Sequence, residues 1–416
     1  MKPNNGPSGR PASRGRSIEL DFVRGIAAIA VMGFHFYAVN TGNFAIGLIE
    51  YPLKNFGREG VNLFFTLSGF LVGGLLLQQY AQTGHIEARS FIIRRLFKIW
   101  PAYYALILFH ALVGRHPLDT FLWQNLTHLQ NYFGTSITQT WSLAVEEHFY
   151  LVLPALLLLL ARWKLHVNAI LGVLAGICVL VLTARCIVVA NGDLNAAFMY
   201  TQYRIDSLLF GVMLAAIYWM KPDVYRKLAR RVDLLMAVVA LLVAWLCFAT
   251  PHIALDESIG FTLQAAGYCA FIVLVLEYSG RLRNVWIYRA TAWIGGYSYG
   301  IYLWHSIALA PGKWLSLKCV AMGLPLPLVW FIGLGAQFFI AISVGYVTTR
   351  LIEAPFLRLR NRLFPTQRRV PVPEHMKPVE AGAVGGTGGV GGPGAAITVS
   401  AAPPISPDPI VPTGGR

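Results

Sequence analysis

Charge is what this sequence has least of. Asp, Glu, Lys and Arg make up 13% of its 416 residues, about half the charged fraction of an ordinary soluble domain. A soluble chain of this length needs a larger charged surface to stay dispersed. Cysteine is also sparse, with Cys178, Cys186, Cys247, Cys269 and Cys319 and no CxxC pair, which excludes a disulfide scaffold and a zinc ribbon. No HExxH, GxGxxG or P-loop occurs, so the usual sequence signs of a zinc hydrolase or a nucleotide fold are missing. A GxSxG nucleophile elbow is absent too. No repeat marks a solenoid, and no loop between apolar runs exceeds about 30 residues, which leaves no room for a soluble catalytic domain. Apolar residues, at 56%, fill the space instead, and the chain reads as an all-α polytopic membrane protein.

A membrane helix needs about 20 mostly apolar residues. Ten stretches meet that description: 18–39, 61–80, 98–114, 143–161, 167–190, 203–220, 232–249, 261–278, 290–311 and 326–349. The first has charges inside it and no small-residue cleavage site, so it is expected to stay on the chain rather than act as a signal peptide. With a cytoplasmic N-terminus, 26 Lys and Arg fall on the cytoplasmic side and 5 on the other. That bias predicts that both termini are cytoplasmic. The formal charge of +15 is then topological, and nucleic acid is not expected as a partner. Residues 1–17 (Gly, Pro, Ser, Arg) and 363–416 (basic, then Gly/Pro/Ala-rich) are expected to be disordered flanks of a membrane domain spanning 18–362.

Charges within the apolar stretches need a reason, since each costs at least ~2.5–3.5 kcal/mol on insertion scales. In "SIELDFVRGIAAIAVMGFHFYAV", Arg24 and His35 are eleven residues apart. Eleven helical steps overshoot three full turns by only about 20° and rise about 16 Å, so the two side chains share one face at different depths. Arg94, Arg95 and Lys98 stand at the entrance to the third stretch, a spacing that suits an anion carrying several phosphates as well as a positive-inside anchor. At the opposite end lie Arg58, Glu59 and Asn62, then Glu146, Glu147 and His148, then Arg204 and Asp206, and finally His305. Four stretches thus bring polar groups to the depth of His35, which lies on a fifth. A neutral imidazole can take a proton from a hydroxyl, and a carboxylate on its other nitrogen stabilises the cation formed. His35 with Glu146 or Glu147 is the expected dyad. Metal binding is not expected, and Ser68 and Ser142 read as helix-packing residues.

The motifs Arg24-x10-His35, "GVNLFFTLSGFL", "RRLFKIWPAYY", "WSLAVEEHFY", "YRIDSLLFG", "SYGIYLWH" and "IEAPF", in that order over about residues 17–362, resemble the acyltransferase-3 family of integral membrane acyltransferases. Lys98 departs from the family's RRxxR pattern, keeping the charge but losing bidentate geometry. Some relatives carry a fused extracytoplasmic hydrolase-like domain, and none is expected after the tenth stretch here. The resemblance implies a bacterial inner-membrane enzyme with no tightly bound cofactor. It would move an acyl group, commonly acetyl, from acyl-CoA (acetyl-CoA) to a hydroxyl of a cell-surface carbohydrate such as O-antigen or exopolysaccharide, or of a small secreted molecule such as a macrolide. It also implies His35 and Glu146 as catalytic residues. The phosphates of CoA are assigned to Arg24, Arg94, Arg95 and Lys98, and the acceptor to Arg204, Asp206, His305 and Trp141. A flippase for a lipid-linked sugar is the competing reading, weakened because the two halves show no matching broken spans.

Overall fold

The computed structural model describes residues 17–364, apart from Arg115 and residues 249–251. Of the disordered flanks expected over 1–17 and 363–416, residues 1–16 and 365–416 lie outside the described residues, whereas Ser17 caps the first helix and Leu363 ends the last. Among the described residues every regular element is helical and no strand occurs. The first helix, α1 (Ile18–His35), starts where the Ser17 hydroxyl accepts the Leu20 N–H, and Glu19 and Asp21 complement the positive end of the helix in its first turn. It ends when Phe36 turns to extended backbone. A short helix, α2 (Phe44–Asn55), leads into α3 (Gly60–Thr83) and α4 (Ala88–Val113). Both long helices stop at a glycine in the left-handed region, Gly84 at φ 71° and Gly114 at φ 65°. Then come α5 (Trp141–Arg162), α6 (Val167–Ala190), α7 (Ile205–Met220), α8 (Pro222–Arg230), α9 (Val232–Phe248) and α10 (Phe261–Tyr278). The last group is α11 (Trp286–Gly296), α12 (Ser298–Trp304), α13 (Leu309–Ala321), α14 (Leu326–Thr348) and α15 (Ala354–Leu363).

Six helical segments among the described residues are long and apolar enough to cross a membrane: 60–83, 88–113, 138–162, 167–190, 253–284 and 326–363. They coincide with six of the ten expected stretches. The other four are helical as well but miss that measure for visible reasons. Helix α1 carries Glu19, Asp21 and Arg24 within its 18 residues. Helix α7 is 16 residues long and meets α8 at a bend of 110°, while α9 has 17 residues. The stretch 290–311 is broken at Tyr297 and tightens to a 3-10 turn over His305–Ala308.

Helix contacts rely on small residues, as they must where lipid offers no competing aqueous drive. A Cβ on Gly69 of α3 would stand 1.8 Å from the Leu208 carbonyl of α7, and one on Gly211 would stand 2.0 Å from that of Thr66. Glycine there lets two backbones touch. The same device seats α1 on α11, where Gly25 faces Thr291 and Gly295 faces Asp21. These two pairs fix α1 and α3 against their neighbours, and the space between them is the site.

Candidate functional site

A cavity of about 390 Å³ opens between α1, α3, α4, α5, α12 and α15. Its cations are Arg24 from α1, Arg95 and Lys98 from α4, and Arg360 from α15. Arg24 donates to Asp21 at 2.9 Å, and Lys98 pairs with the buried Glu353. Arg95 lies over the Tyr150 ring, 5.4 Å from its centre, and Arg360 donates to the Asn361 amide oxygen at 2.9 Å. Two guanidinium groups therefore face the cavity without a carboxylate ion pair among the described residues.

One carboxylate, Glu146, also faces it. Its oxygens accept from the Ser68 hydroxyl at 3.1 Å and from the Tyr150 hydroxyl at 2.6 Å. One turn earlier on α5, Ser142 lies 2.5 Å from the Tyr302 hydroxyl, which donates to the Gln139 carbonyl at 3.0 Å. A tyrosine has one hydroxyl proton, so Ser142 is the donor in that pair. The wall near Tyr302 is completed by Phe64, whose ring lies edge-on to it at 5.8 Å. The lining thus combines four cations with the hydroxyls of Ser68, Ser142, Tyr150 and Tyr302, which suits a ligand with a polyanionic head and a polar arm.

The expected basic cluster is brought together only in part. Arg24, Arg95 and Lys98 share the cavity, whereas Arg94 turns away and donates to the Phe364 carbonyl at 3.0 Å. Arg360 was not singled out from the sequence. It sits in "LRLRNR", a run that reads as topological charge, and only the return of α15 onto α4 gives it a role. Ser68 and Ser142, read as packing residues, line the cavity instead.

His35 is placed elsewhere. It ends α1 as an exposed residue, its ring 5.0 Å from that of His305, and neither histidine is part of the cavity lining. The Lys54 ammonium donates to the carbonyls of Phe34 and Phe36 on either side of it. Burial pushes Lys54 below its usual range. The expected dyad of His35 with Glu146 is not formed. Glu146 is taken up by Ser68 and Tyr150, and Glu147 by the Trp100 indole N–H at 3.2 Å. No carboxylate bonds His35 among the described residues. The sequence placed Glu146 at the depth of His35, but the fold puts it in the cavity with Arg24 and Arg95.

The expected acceptor set is dispersed. Asp206 is fully buried and accepts from both the Arg185 guanidinium, at 2.9 and 3.0 Å, and the Thr262 hydroxyl at 2.6 Å. Its charge is matched inside the protein, because a buried carboxylate without a partner is too costly to keep. Arg204 is also buried, its guanidinium 3.5 Å above the Phe261 ring and 5.7 Å from Trp141, with Asn62 as acceptor. Trp141 packs against Phe65 and Phe198 in the same aromatic box. His305 is buried and donates its Nδ1–H to the Tyr302 carbonyl at 2.6 Å. Its ring lies 5.9 Å from that of Tyr302, which lines the cavity.

Comparison with known proteins is consistent with the motif order. Residues 17–350 match the acyltransferase-3 family, described as "Acyltransferase domain". A peptidoglycan O-acetyltransferase of Listeria monocytogenes, OatA, is 26% identical over 369 residues, covering 81% of this chain and 56% of its own length. A Bacillus subtilis protein provisionally named as the peptidoglycan O-acetyltransferase YrhL is 26% identical over 317 residues, covering 69% of this chain and 47% of its own. The chain thus spans about half the length of the curated relatives it matches. No solved structure is detectably similar to it.

Proposed function

The chain belongs to the acyltransferase-3 family, and from that premise we propose that it transfers an acyl group, commonly acetyl, from cytoplasmic acyl-CoA to a hydroxyl of a cell-surface carbohydrate. The observation that carries this reading is the cavity that gathers Arg24, Arg95, Lys98 and Arg360 beside Ser68, Ser142, Glu146 and Tyr302. Guanidinium groups grip phosphate oxygens in bidentate fashion, so the cationic part of the lining receives the phosphates of CoA. The thioester arm then runs toward Phe64 and Tyr302. The Tyr302 ring lies 5.9 Å from that of His305, which lies 5.0 Å from that of His35.

In this reading His35 takes the proton of the acceptor hydroxyl as its oxygen attacks the thioester carbonyl. The carbon–sulfur bond breaks, the new carbon–oxygen bond closes the ester, and the imidazolium returns its proton to the departing CoA thiolate. Glu146 acts one step back, ordering Ser68 and Tyr150 along the arm. The relatives' names support a glycan as acceptor. The 26 to 5 distribution of Lys and Arg supports a bacterial inner-membrane protein in which α1, α7, α9 and the α11–α12 pair also cross, both termini facing the cytoplasm.

The test is the ester-linked acyl content of surface glycans in a host strain lacking the chain, complemented with wild type or with His35→Ala. Wild type restores the ester, and His35→Ala, present in the membrane at equal amount, loses roughly 10²–10⁴-fold in rate. Equal restoration by both removes His35 from the chemistry. No change in any glycan with wild type removes the glycan acceptor.

A further inference from the structure

His305 has one hydrogen-bond partner among the described residues, and it fixes the tautomer. Its Nδ1 lies 2.6 Å from the Tyr302 carbonyl. A carbonyl only accepts, so Nδ1 carries the hydrogen and neutral His305 has its lone pair on Nε2. The ring is buried, 1% exposed, and stands between Tyr302 at 5.9 Å, Phe36 at 6.4 Å and His35 at 5.0 Å. No hydrogen bond joins the two rings among the described residues, but 5.0 Å between their centres brings the ring nitrogens within reach of one N–H···N bond of about 3 Å. His35 needs such a partner. A catalytic imidazole is ordinarily oriented by a carboxylate, and none bonds it here. The neighbouring charge that faces it, Lys54 of α2, is a cation that donates to the Phe34 and Phe36 carbonyls on either side of it and offers no acceptor.

We propose that His305 is the positioning residue of the transfer: its Nε2 accepts the N–H of His35, which leaves the other His35 nitrogen bare and aimed at the acceptor hydroxyl. This rests on the reading of His35 as general base. Two imidazoles this close share one added proton at most, since a second would meet the charge of the first. The pair therefore takes one proton from the acceptor oxygen and gives that same proton to the CoA thiolate. Ester and thiol are the products, and the pair ends as it began. The linkage back to Tyr302 connects the histidines to the cavity wall, so the acyl arm and its base are held by one short segment, the break between α12 and the following 3-10 turn.

Two amide variants separate positioning from packing. Asparagine can keep the donor that bonds the Tyr302 carbonyl but is too short to reach His35, whereas glutamine can place an acceptor where Nε2 stands. Membrane vesicles from strains carrying His305→Asn, His305→Gln, His35→Ala or wild type are supplied with radiolabelled acetyl-CoA, and incorporation into endogenous glycan is measured at equal membrane abundance. The proposal predicts that His305→Asn loses roughly 10²-fold or more in kcat with the KM for acetyl-CoA unchanged, while His305→Gln keeps most of the rate. It also predicts that the acid limb of the rate profile moves to lower pH in His305→Asn, because the imidazolium of His35 has lost its acceptor, and stays in place in His305→Gln. A packing role predicts the opposite order: His305→Asn is normal and His305→Gln is lost or fails to reach the membrane. That result overturns the proposal. If His35→Ala itself retains full activity, the general-base reading falls first, and the pairing falls with it.

Discussion

Asp206 and Arg185 illustrate how much a charge inside the bundle depends on its partner. Both side chains are fully buried, and the guanidinium also donates to the Ser258 and Tyr203 carbonyls at 2.8 and 2.7 Å. Deleting one member of such a pair strands the other, a cost of about 3–5 kcal/mol, whereas replacing both with apolar residues is often neutral. Asp206→Leu and Arg185→Leu should each lower the thermal midpoint in detergent sharply, and the double variant should recover most of the loss. Recovery of stability together with glycan acylation would establish that Asp206 serves the fold and not the acceptor. Sequence alone pointed to Asp206 as a ligand because it displays a charge without its partner. Arg185, which satisfies it, is 21 positions away on another helix. His35 and Arg24 were more legible, because an x10 spacing on one helix needs only helical geometry to interpret. The partner expected for His35 is not beside it: helix ends alone suggest a shared depth, whereas Glu146 lines the cavity with Arg24 and is bonded by Ser68 and Tyr150.

Helices were the most legible level, and their interruptions the least. Apolar length located the six helical segments long enough to cross a membrane and a helix within each of the other four stretches, since nothing but a helix satisfies its own backbone in lipid. It did not reveal that α4 begins ten residues early, at Ala88, so that Arg94, Arg95 and Lys98 ride on a helix instead of preceding one. Nor did it reveal the break after Gly296 that aims His305 inward. Close contacts between elements were hidden as well, because a glycine in a span does not announce which backbone it meets. Gly69→Ala should force α3 off α7 and cost about 1–3 kcal/mol or more as overpacking, seen as reduced membrane abundance and a lower thermal midpoint. Gly172→Ala on α6 meets open space. It should be neutral or gain up to about 1 kcal/mol from helix propensity. Equal effects of the two substitutions would contradict the backbone-contact account of α3 and α7.

At the scale of the whole molecule, the site is a product of chain return. Arg24 and Arg360 are separated by nearly the entire described sequence, yet they line one cavity with Arg95 and Lys98. That convergence depends on α15 packing back onto α4, where Lys98 meets Glu353 and Phe97 meets Phe364. Loss of the Lys98–Glu353 pair should therefore weaken donor binding indirectly: Glu353→Ala is expected to raise the KM for acetyl-CoA several-fold while leaving the acceptor side of the rate unchanged. The measurement that tests the central claim most directly is equilibrium binding of acetyl-CoA to the purified full chain, for wild type, Arg95→Ala/Arg360→Ala and His35→Ala. Two guanidinium groups proposed to face the phosphates, each contributing about 1.5 kcal/mol or more, predict roughly a hundredfold or more weaker affinity for the double variant, with the wild-type affinity falling as salt rises. His35→Ala should bind as tightly as wild type, because the base meets the thioester and not the phosphates. Undiminished affinity in the double variant would contradict the assignment of this cavity to the acyl donor.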